Sequence, residues 1–92
     1  MVKIRVRIYV SGIVQGVFFR SSVRNRAMEL GIRGFVRNLE DGRVLTVVEG
    51  EETSVRRLVE WCKVGPIGAE VEDVEVIPEE CKDEFQVFNI VY

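Results

Sequence analysis

The chain has 92 residues, 47% of them hydrophobic and 30% charged, which fits one soluble globular domain over residues 1–92. A net charge of −2 argues against a general nucleic-acid binder, whose affinity rests on neutralised phosphates, and the lack of any histidine excludes both imidazole catalysis near neutral pH and imidazole-ligated zinc. No apolar run approaches the roughly 20 residues of a membrane span, and the N-terminus alternates charged and apolar residues, so the expected location is cytoplasmic.

Residues 2–10 alternate strictly: Val2, Ile4, Val6, Ile8 and Val10 share one face, and Lys3, Arg5, Arg7 and Tyr9 the other. That period of two predicts a strand with one buried side. A glycine-rich loop over 11–19 leads into a helix over 20–30, whose apolar positions are Val23, Ala27 and Leu30, with Gly31 as C-cap. Residues 32–39 and 43–49 read as strands joined through Asp41-Gly42, a hairpin signal. Val55, Leu58, Val59 and Cys62 fall at i, i+3, i+4 and i+7, predicting an amphipathic helix over 53–64 with Thr53 as N-cap and Gly65-Pro66 as its stop. Residues 69–77 alternate with a slip between Val71 and Val74, the mark of a bulge. An acidic loop over 78–84 and a last strand over 85–91 complete the chain.

The order is β-α-β-β-α-β with a short extra strand, the split βαβ pattern of an α+β, ferredoxin-like fold. Two helices then cover one face of a mainly antiparallel sheet, and the other face is free to meet solvent, as the basic side of the first strand suggests. That fold hosts many functions, so function must come from residues.

Gly12-Ile13-Val14-Gln15-Gly16-Val17-Phe18-Phe19-Arg20 leaves a strand and enters a helix. Its glycines let successive N–H groups converge, the helix start favours anions, and Arg20 carries a fork suited to two oxygens of a phosphate or a carboxylate. On residues alone this is either an anion cradle or a strand-to-helix turn with a surface arginine. Asn38 shares parity with Ile32 and Val36, hence the helix-covered side, yet asparagine here also suits a cap on the Asp-Gly turn. The carboxylates Glu49, Glu51, Glu52, Glu70, Glu72, Asp73, Glu75, Glu79 and Glu80 read as solvent-facing, with no convincing acid–base pair. Ser21 and Ser22 have no histidine or nearby lysine to activate them. Cys62 and Cys81 stand 19 positions apart; buried or free thiols are the first reading, a disulfide the second.

Together these residues resemble the acylphosphatase family. The nine-residue loop is followed by Leu30-Gly31-Ile32-Arg33-Gly34-Phe35-Val36-Arg37-Asn38, then Asp41-Gly42, Glu49-Gly50, Gly65-Pro66-Ile67-Gly68-Ala69 and Phe88-Asn89-Ile90, at the family's spacings and essentially from end to end. The resemblance implies hydrolysis of the carboxyl–phosphate bond of a small acyl phosphate by an enzyme that needs no cofactor and no metal; a monomer is the default expectation. It implies that Arg20 binds the phosphoryl group, that Asn38 orients the attacking water, and that the backbone N–H groups of Gln15, Gly16, Val17, Phe18, Phe19 and Arg20 cradle the phosphate. Phe35 stands where the family usually has Trp or Tyr, Leu45-Thr46 departs from its usual third strand, and the cysteine pair is outside its pattern. The competing expectations are a non-catalytic anion-binding module like that of hydrogenase-maturation carbamoyltransferases, and an RNA-binding domain with aromatics on its open sheet face.

Overall fold

The computed structural model describes residues 2–92. Its elements in chain order are β1 (Lys3–Ile13), α1 (Phe19–Glu29), β2 (Arg33–Asn38), β3 (Val44–Glu51), α2 (Glu52–Cys62), β4 (Glu70–Glu79) and β5 (Phe88–Val91). The strands form one sheet in the order β4-β1-β3-β2-β5, antiparallel except for β2 and β5.

Strict alternation along β1 decides which side is core. Val6, Ile8 and Val10 sit opposite Val48, Thr46 and Val44 of β3, and both helices close over this face with Val23, Ala27, Val55 and Leu58. The bulge expected in β4 is present: Ser11 pairs with Asp73 and Gly12 with Val71, leaving Glu72 extra. The Asp-Gly hairpin is present too, with Arg43 donating its N–H to Asp41 Oδ1 at 3.1 Å.

Three expectations change. Thr53 does not cap α2: Glu51 holds the N-cap position with no side-chain cap, and the Glu52 N–H donates instead to the Val2 carbonyl at 2.9 Å. A backbone acceptor from the neighbouring strand takes the place of a local side chain. The last strand begins at Phe88 rather than residue 85. The first reading of the cysteines holds: Cys62 and Cys81 are free thiols, and burial pushes the Cys62 thiol up to about 12.

The largest change concerns the open face. β4 and β5 lie at opposite edges of the sheet. The helices occupy one face, so the connection between those edges crosses the other. Residues 80–87 form this strap. Its Phe85 ring packs edge-on against Phe35 with centroids 6.0 Å apart, and the Arg5 guanidinium lies 5.0 Å from the same ring. Beneath it Glu49, expected at the surface, is 3% exposed and accepts the N–H groups of Lys82, Asp83 and Glu84 at 2.8, 3.0 and 3.1 Å. Burial raises the Glu49 carboxyl, but those donors and the Cys81 thiol outweigh it and hold the group below the usual carboxylate range. Covering the face also removes the exposed aromatic platform that an RNA-binding reading requires.

Candidate active site

β1 delivers the chain to the loop over residues 14–18, and α1 begins at once. Gly16 has φ 76° and Phe18 φ 60°, so left-handed residues alternate with Val17 and curl the backbone into a nest of converging N–H groups. Among the described residues, no backbone carbonyl accepts from the N–H groups of residues 15–20. Helix α1 has no side-chain cap and no acidic residue in its first turn, so its positive end is uncompensated from within. Phe19, 2% exposed, anchors the loop: its ring lies 5.7 Å from that of Trp61, and a Cβ at Gly65 (φ 72°) would come within 2.8 Å of it. Gly65 therefore serves as more than a helix stop. Its bare backbone leaves room for the ring that seats the loop.

Arg20 stands on the first turn of α1 with its guanidinium 4.7 Å from the Tyr92 ring centroid. The parallel pairing of β2 with β5 puts Arg37 beside Val91, so Tyr92 follows next to Asn38. Parity turns Tyr92 to the helix side, with Ile90 and Val36. Arg20, at the start of α1, and Asn38, at the end of β2, thus lie at the same end of the sheet. The Gln15 side chain ties the loop to the same place, donating from Nε2 to the Leu39 and Arg43 carbonyls at 2.8 and 2.9 Å. It brackets the hairpin that Asn38 enters.

Asn38 does not cap the turn; Asp41 does. The Asn38 carboxamide oxygen is buried with no hydrogen-bond partner. Leaving such an acceptor unpaired costs about 1–3 kcal/mol, so its isolation needs a reason. At the start of α1, a recess of about 270 Å³ is lined by Gly16, Phe18, Phe19, Arg20, Ser21, Ile90 and Tyr92. A larger groove of about 780 Å³ lies between α2 and the β1–β4 edge, lined by Ile4, Val55, Val59, Val76 and Pro78, and neither Arg20 nor Asn38 reaches it. No group of three or more Cys, Asp or Glu side chains among the described residues is placed to hold a metal ion.

The structure thus sets the expected loop residues and Arg20 at the end of the sheet where β2 finishes in Asn38. It adds the Gln15 side chain and Tyr92, which the sequence reading missed. Gln15 was noted only for its backbone, and nothing local signals where its amide reaches. Tyr92 becomes visible only once β5 is paired in parallel with β2.

A split βαβ sheet with free N–H groups and a guanidinium at a helix start defines an α+β protein with a helix terminus suited to an anion. Comparison with known proteins narrows that class. The acylphosphatase family model matches residues 6–90. An acylphosphatase of Pyrobaculum islandicum is 51% identical, covering 99% of this chain and 97% of its own length. The crystal structure of the Bacillus subtilis acylphosphatase superposes with a TM-score of 0.93 at 37% identity, covering 97% of this chain and 99% of that one. The HypF protein of T. kodakarensis matches with a TM-score of 0.84 at 31% identity over 97% of this chain, but over only 12% of its own length. The chain belongs to the acylphosphatase family, hydrolases of acyl phosphates.

Proposed function

We propose that residues 1–92 act as one acylphosphatase domain, a monomer in the cytoplasm, cleaving the carboxyl–phosphate bond of small acyl phosphates at the end of the sheet where Arg20 and Asn38 lie. The observation that carries this reading is the buried, unpartnered carboxamide oxygen of Asn38 at the same end of the sheet as a loop of free N–H groups. An acceptor that the chain itself leaves unpaired is available to orient a water.

The phosphoryl group sits on the N–H groups of residues 15–20, with Arg20 gripping two of its oxygens. Water held by the Asn38 carboxamide attacks phosphorus in line. The bond from phosphorus to the acyl oxygen breaks, its electron pair leaves with the carboxylate, and the water proton passes to a phosphoryl oxygen. A carboxylate is a good leaving group, so no imidazole acid is required, in keeping with a chain that has no histidine. Positioning and charge stabilisation supply the acceleration. The acidic edge strand β4, with Glu70, Glu72, Asp73, Glu75, Glu79 and Pro78, disfavours edge-to-edge pairing and supports the monomer.

Hydrolysis of acetyl phosphate and benzoyl phosphate with excess EDTA tests the reading. Turnover well above buffer and unaffected by EDTA is the expected result. Turnover no faster than buffer sinks the hydrolase and leaves the anion-binding module, which the HypF likeness favours, detectable as inorganic phosphate binding.

A further inference from the structure

We propose that the Phe18 ring is the acyl-recognition element of this site, selecting acyl phosphates whose acyl group presents a flat apolar or aromatic face. The proposal rests on the acylphosphatase reading above.

The nest requires a left-handed residue at position 18 as it does at position 16. Position 16 uses glycine, the residue that adopts this conformation without strain. Position 18 holds Phe at φ 60° and ψ 26°, where a bulky side chain is an outlier. The ring gives no structural return for that strain. Phe18 is 83% exposed, while the adjacent Phe19 does the core packing at 2%. A strained backbone and an exposed aromatic at one position point outward, to whatever the ring meets.

What it meets is set by the recess it lines. Phe18 lines the same recess as Gly16 and Arg20 of the proposed phosphate cradle, together with Ile90 and Tyr92. A phosphoryl group held by Arg20 in this recess brings its acyl substituent within reach of the Phe18 ring. An apolar or aromatic substituent gains an edge or face contact there that a methyl group is too small to make.

The experiment compares kcat/KM for benzoyl phosphate and acetyl phosphate in the wild type, Phe18→Gly, Phe18→Asn and Phe18→Trp. Glycine and asparagine both tolerate the left-handed conformation, so at least one variant keeps the loop without the ring. The benzoyl-to-acetyl ratio should fall roughly fivefold in Phe18→Gly and Phe18→Asn, the size of one aromatic contact, and be held in Phe18→Trp. An unchanged ratio in the glycine and asparagine variants overturns the proposal, even if both rates drop, because the ring then serves only the loop or another partner. A wild type that turns over neither substrate fails differently, since it overturns the hydrolase reading on which the proposal depends.

Discussion

Two segments of this chain curl their backbones so that N–H groups converge, and they differ in whether the chain itself supplies a charge for those groups. The strap over residues 80–87 wraps Glu49, a carboxylate of the chain itself, with three N–H groups. The loop over residues 14–18 and the start of α1 offer N–H groups to a charge the chain does not supply. Each uses a left-handed residue other than glycine, Asp83 at φ 56° and Phe18 at φ 60°, and these are the two such residues among those described. The same local device thus gives a lock when the anion is internal and a binding site when it is external. Breaking the site should cost turnover and little stability; breaking the lock should cost stability and little chemistry.

The site side of the comparison breaks hardest at Arg20. Arg20→Ala should lower kcat/KM by about 10³-fold or more and abolish competitive inhibition by phosphate, because one group serves both binding and transition-state charge. Asn38→Ala should separate the two. Turnover should fall by about 10²-fold or more, while the phosphate inhibition constant moves by no more than about threefold, since the amide addresses water rather than the phosphoryl group. Equal losses in both quantities would place Asn38 on the phosphate and reverse its assigned role.

The lock side breaks at Glu49. Glu49→Gln keeps the shape but removes the charge the strap is built around, and should cost about 2 kcal/mol, or roughly 10 °C in Tm for a domain of this size. The native carboxyl is held below its ordinary value. Its contribution is complete above the unfolded-state value of about 4.3 and is lost as pH falls through the lower native value. Thermal melts between pH 3 and pH 7 should therefore show an acid limb in the wild type that is flattened in Glu49→Gln. Glu79, lowered by its hydrogen bonds to Arg5 and Arg7, titrates with the same sign, but its partial exposure keeps its share small. A variant with the full acid limb would remove Glu49 from the lock.

The difference between the two regions also explains what the sequence disclosed. The alternation of β1, the Asp41-Gly42 turn and the slip in β4 are local signals, and each predicted its element. The loop was legible as a candidate because its glycines and Arg20 are adjacent in sequence. The strap was not: an acidic run of 78–84 names no partner, its donors are backbone groups common to every residue, and Glu49 reads as one more surface carboxylate in an alternating strand. The path of the strap follows from the edge positions of β4 and β5, which only the assembled sheet defines. Asn38 lay between these cases. Its parity was readable, but its neighbours Tyr92 and Gln15 reach it through strand register and a side chain crossing to another loop. Family resemblance singled it out where local chemistry did not.

Gln15 gives the finest test, because it joins the loop to the hairpin without charge. Its amide donates to the two carbonyls at either end of the turn that follows Asn38, Leu39 and Arg43. Gln15→Ala leaves the backbone N–H in the cradle and removes only this tie. The expected cost in stability is about 1 kcal/mol, the net worth of ordinary hydrogen bonds. If the tie positions Asn38 against the phosphoryl group, kcat should fall roughly tenfold while phosphate inhibition changes by less than about threefold, a smaller copy of the Asn38→Ala pattern. Gln15→Glu, which turns an acceptor toward the same carbonyls, should be at least as damaging as alanine. A drop in Tm with kcat intact in both variants would make Gln15 a structural clamp alone, and the coupling between loop and hairpin would then rest on Tyr92 stacked against Arg20.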